Sequence, residues 1–132
     1  MLKLSPRMLG LCSLAAVLAA GTMFFQAQAA DAQADAVKEV MKKFHKAPKG
    51  EDPICKKAID GKATAQELKD MVAGYKKMAA AKVPHGDAAS WKTKTTALLA
   101  ASEALQKNTA GAVDKYKEAV NCKACHSEHK AD

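Results

Sequence analysis

Along most of the chain, apolar residues recur at steps of three and four, the spacing that lines one face of an α-helix. Between Asp31 and Lys46 the stripe is Val37, Val40, Met41 and Phe44. APKGEDP then interrupts it, with Pro48, Gly50 and Pro53 as breakers, and ICKKAID reads as a short helical turn before Gly61. A second helix opens after Thr64, because Thr64 and Glu67 stand at the separation where each side chain can satisfy an orphan N–H of the first turn. Its inner face is Leu68, Met71, Val72, Tyr75 and Met78, and it stops before Pro84 and Gly86. Asp87 is placed to cap a third helix, DAASWKTKTTALLAASEALQK, with Trp91, Thr95, Leu98, Leu99, Ser102 and Leu105 inward. Asn108 and Gly111 mark its end. A fourth runs from Ala112 through Val113, Tyr116, Ala119 and Val120 into NCKACHSEHK. Strand signals are few, and the abundant Ala, Lys, Leu and Met are residues that lose little in a helix. Short connections between amphipathic helices predict an all-α fold, an up-down antiparallel four-helix bundle.

The first thirty residues break this pattern. MLKLSPR is basic, residues 8–25 are continuously apolar in character, and QAQAADAQADA follows. A basic start, an apolar middle and a small-residue exit are the layout of a secretory signal peptide, and Ala27 and Ala29 place cleavage after Ala29 or Ala30. An uncleaved anchor is the competing reading, since the apolar run approaches a membrane-spanning length, but Gly21, Thr22 and the weakly apolar alanines argue against it. Residues 1–30 are therefore read as a leader, and 31–132 as one small exported domain, periplasmic or otherwise outside the cytoplasm, with no membrane insertion after cleavage.

Charge adds less. The whole chain carries 21 Lys and Arg against 14 Asp and Glu; without Lys3 and Arg7 the balance is 19 against 14, or +5. The lysine pairs at 42–43, 56–57 and 76–77 are not interleaved with aromatic residues, so nucleic acid is a poor match. Solvated helix faces account for most of them, and a positive rim that steers an acidic partner is the functional alternative.

The chemistry concentrates in the last helix. The mature cysteines are Cys55, Cys122 and Cys125, an odd number for a disulfide framework. Three readings of Cys122, Cys125 and His126 compete. A structural zinc site wants four ligands, usually as two pairs, and only one pair is present. A thiol–disulfide catalyst places its C-x-x-C at a helix start after a strand, and no strand is in view. Covalent haem attachment meets each constraint: two sulfurs at C-x-x-C spacing reach two vinyl groups, the next imidazole binds the iron, and export supplies the compartment. A macrocycle would also fill the thin core of a small alanine-rich bundle. In that reading Cys55 is a small apolar filler.

A helical chain ending in C-x-x-C-H resembles the class II c-type cytochromes, the cytochrome c prime group. GDAASWKTK is similar to the start of that family's third helix, and Lys130, four positions after His126, matches its basic residue there. PKGEDPICKK departs from the family's first connection. The resemblance implies one haem c held by thioethers to Cys122 and Cys125, with His126 as proximal iron ligand and Lys130 in the haem environment. It implies a distal residue from the first helix: a methionine in the electron carriers, an apolar non-ligand in the gas binders. Here the candidates are Met41 and His45, four apart and so neighbours on one face, each with a bland alternative as core filler or helix-end cation.

The expected function is one-electron transfer without a substrate or enzymatic turnover, to a redox protein acidic at the contact. The alternative is a five-coordinate haem protein that binds NO or CO. Members of that family often pair through their first two helices, so the resemblance leaves both a monomer and a homodimer open. His129 is expected at the surface, and His85, between Pro84 and Gly86, in an exposed turn.

Overall fold

The computed structural model describes residues 35–130, all helix and connection with no strand among them. The predicted leader over 1–30, its cleavage point and residues 31–34 of the first predicted helix lie outside the described residues. The helices are α1 (35–44), α2 (Ile54–Ile59), α3 (Ala65–Ala80), α4 (Ala88–Gln106), α5 (Ala112–Ala119) and α6 (Cys122–His129). No described helix is long and apolar enough to cross a membrane.

Local chemistry explains the starts. Thr64 Oγ1 accepts from the Glu67 N–H at 3.1 Å and Glu67 Oε2 accepts from the Thr64 N–H at 2.8 Å, the reciprocal cap expected for α3. Asp87 Oδ1 accepts from the Ser90 N–H at 2.7 Å and opens α4. The expected continuous fourth helix is corrected: it breaks at Val120 and Asn121. Asn121 leaves helical geometry and turns its side-chain oxygen on the Ala124 N–H at 3.0 Å, so the chain restarts as α6. The C-x-x-C-H motif thus occupies a short helix of its own, free to lie at its own angle to α5.

One core joins these elements. α3 packs on α4, α4 on α5, α2 touches α3 and α5, and α6 rests on α4. Val40 and Phe44 of α1 meet Met71, Tyr75 and Met78 of α3, Trp91, Leu98 and Ala101 of α4 and Tyr116 of α5. Phe44 meets Tyr75 edge-on, with centroids 6.1 Å apart. Gly74 permits this approach, because a Cβ there would collide with the Phe44 ring. Leu68, Val72, Leu99 and Leu105, expected inside, are only partly covered. The polar residues on α4's inner face cost little: Thr95 Oγ1 donates to the Trp91 carbonyl at 2.8 Å and Ser102 Oγ to the Leu99 carbonyl at 2.7 Å. Trp91 Nε1 donates to the Ala81 carbonyl at 3.2 Å and ties the α3–α4 corner.

Candidate functional site

α6 is fixed to α4 by a polar clamp. Lys94 Nζ donates to the Ala124 carbonyl at 3.0 Å and makes a short ion pair with Glu128, which also accepts from Ser90 Oγ at 2.8 Å. These two hydrogen bonds, Lys94's first, hold the Glu128 carboxyl below its ordinary range. His129 was expected at the surface and is instead buried, with 3% of its area exposed. Its ring stands edge-on to Trp91 at 5.4 Å, and Nδ1 donates to the His85 carbonyl at 2.8 Å. The 84–87 turn therefore packs against the end of α6. Gly86 takes φ +81°, and a Cβ there would lie 2.5 Å from the Glu128 carbonyl oxygen. His85 itself is exposed, as expected, and Lys130 is an exposed residue at the end of α6.

This clamp presents the motif to a cleft of about 370 Å³. Met41 and His45 come to it from α1 and the bend that follows, Met78 from α3, and Thr95 and Leu98 from α4. Ala119 and Val120 come from the end of α5, and Cys122, Cys125 and His126 from α6. Five side chains read from the sequence as haem ligands or attachment points, far apart in the chain, thus line one hollow. The apolar walls and the donor set suit a covalently held porphyrin: two sulfurs and an imidazole on one short helix, and a thioether and a second imidazole on another segment. Among the described residues, no three His, Cys, Asp or Glu side chains converge as a cluster able to hold a bare metal ion.

Cys55, Cys122 and Cys125 are all free thiols. Cys122 is exposed at the start of α6, after a helix rather than a strand, and Cys125 is half-buried. Burial, the largest influence, pushes the Cys125 thiol above its ordinary value, opposite to the tuning of a thiol catalyst. Cys55 is half-buried rather than enclosed, and burial, followed by the neighbouring Cys122, pushes its thiol up as well.

His45 is not a helix-end cation. Burial, and secondly the nearby His126, lower it to about 4, so the ring is neutral at pH 7. Its backbone N–H closes on the Met41 carbonyl at 3.1 Å, which stacks the two candidates one turn apart. Its Nε2 meets Tyr75 Oη at 2.9 Å, Tyr75 Oη meets Tyr116 Oη at 2.9 Å, and Tyr116 Oη donates to Met71 Sδ at 3.3 Å. Burial first of all drives both phenols well above their ordinary range.

Sequence reasoning placed the two tyrosines among apolar core residues and missed this polar chain. The available signal was that a buried phenol needs a partner, though sequence alone does not say which. His129 was missed too; its signal is the four-residue step from half-buried Cys125, which sets both on one face of α6. Comparison with protein-family models, with curated proteins and with solved structures finds no match to the chain.

Proposed function

We propose that this chain is an exported monohaem c-type cytochrome that carries single electrons, folded as an up-down antiparallel four-helix bundle in which α5 and α6 together make the last member. The observation that carries the reading is the shared cleft, where Cys122, Cys125 and His126 of α6 face the same hollow as Met41 and His45. The haem, when bound, would supply iron that alternates between two oxidation states. The protein's part is to hold and insulate it. Cys122 and Cys125 would carry the thioethers and His126 would ligate the iron, with Met41 or His45 as the second protein ligand. Apolar Met78, Leu98 and Val120, which line the cleft, would exclude water from the ring, and Lys130, exposed at the end of α6, would serve a propionate or the proximal side. The export signal over 1–30 puts attachment and function outside the cytoplasm.

A reductive titration of the purified mature protein tests this reading. The expected result is visible haem bands that change with uptake of one electron per chain, and loss of both bands and uptake in the Cys122→Ser, Cys125→Ser double variant. A colourless protein that takes up two electrons and two protons as a Cys122–Cys125 disulfide opens to the dithiol would overturn it.

A further inference from the structure

The chain of contacts from His45 into the core can satisfy all its partners in one direction only. A thioether sulfur accepts hydrogen bonds and never donates. The 3.3 Å contact from Tyr116 to Met71 Sδ therefore uses the one proton of Tyr116. The Tyr116 oxygen, 2.9 Å from Tyr75, must then accept the proton of Tyr75. That leaves the Tyr75 oxygen to accept from His45 Nε2 at 2.9 Å. Nε2 carries the ring proton, and Nδ1 carries the lone pair. Nδ1 has no hydrogen-bond partner among the described residues, and no buried side-chain nitrogen or oxygen lacks one, so Nδ1 lies at an accessible position on a residue that lines the cleft.

Met41 shares the cleft on different terms. Its unbranched, flexible side chain has no polar contact to hold it, and it packs against the core cluster as a partly buried apolar group. His45 is restrained by Tyr75, which Tyr116 holds in turn; both tyrosines have 0% exposure and are rooted in α3 and α5.

We propose that His45, through Nδ1, is the second protein ligand of the haem iron, that Tyr75 is the positioning residue that fixes its tautomer, and that Met41 is cleft wall. This rests on the haem reading above. A ligating imidazole whose other N–H is held by an oxygen acceptor is a more basic and better oriented ligand. The Tyr75 phenol is that acceptor here, backed by Tyr116.

The test compares wild type with Met41→Leu, His45→Ala, His45→Gln and Tyr75→Phe, each haem-loaded by export and checked for helicity by circular dichroism. Optical and electron paramagnetic resonance spectra, CO addition and reduction potential are read. Wild type and Met41→Leu should be low-spin and indifferent to CO. Both His45 variants should become high-spin and bind CO when reduced. Tyr75→Phe should stay low-spin with its potential shifted upward, because the ligand loses basicity, a change that a merely structural role would not produce. A high-spin wild type, or a spin change in Met41→Leu and not in the His45 variants, overturns the assignment while leaving the covalent haem in place. An unmoved potential in Tyr75→Phe overturns the positioning role. Wild type without covalent haem defeats the haem reading itself, and the ligand assignment with it.

Discussion

Gly74 shows how much a single side chain decides here. In the interior of a helix, alanine is favoured over glycine by about 1 kcal/mol. At position 74 that gain is opposed by collision of the new Cβ with Phe44, a ring that is only 2% exposed and meets Tyr75 edge-on. Overpacking of a closed core costs about 1–3 kcal/mol, so the clash should win. Gly74→Ala is expected to destabilise the protein by about 1 kcal/mol in urea unfolding, the middle of the roughly 0–2 kcal/mol that those two effects leave. A variant as stable as wild type would mean that Phe44 is free to move. The same scale contains what the sequence could not reveal. Val40, Phe44, Met71 and Trp91 are apolar at helical spacing, and their burial was legible. The alignment of Tyr75 with both His45 and Tyr116 depends on three elements meeting, and no local pattern encodes that.

At the scale of elements, caps and breakers were legible because they are local chemistry. Thr64 with Glu67, and Asp87 with the Ser90 amide, act within three residues of themselves. The break at Asn121 escaped because apolar Val120 and half-buried Cys125 continue a helical pattern across it, and only the turn of one amide side chain marks the stop. Glu67 gives a pH test of the first kind of feature. The Thr64 N–H, then Lys57 at 3.2 Å, hold its carboxyl below the ordinary glutamate value near 4.5. A depressed carboxyl contributes stability that is present above the unfolded value and is lost as pH falls through the folded one. Glu67→Gln keeps a capping acceptor but removes the charge, so it should cost about 0.5–1 kcal/mol at pH 7. That gap should close as the pH is lowered below 4.5. Thermal melts of the two proteins at several pH values check it, and a gap that persists in strong acid would contradict the electrostatic account.

At the scale of the whole molecule, several of the described lysines are matched locally. Lys43 pairs with Asp70 at 3.3 Å, Lys56 with Asp52 at 2.8 Å and with Asp60 at 3.3 Å, and Lys57 with Glu67 at 3.2 Å. Lys123 on α6 and Lys130 just beyond its end, both exposed, are better placed to face a partner. Steering by such charges acts over a Debye length, about 10 Å at 0.1 M salt. The rate of electron transfer to an acidic redox protein should therefore fall steeply as salt is added, and a rate indifferent to salt would remove the rim from the account. The C-x-x-C-H motif stands out within ten residues of sequence; its placement does not, because α6 is held at the cleft by the clamp of Lys94, Glu128, Trp91 and His129. The proposed function stands or falls with one claim, that a porphyrin is joined to Cys122 and Cys125. The intact mass of the mature protein, measured after denaturation, tests this most directly. It should exceed the mass of the polypeptide from residue 30 or 31 onward by one haem and fall back to it when both cysteines are replaced by serine; a wild-type mass equal to the bare polypeptide would contradict the claim.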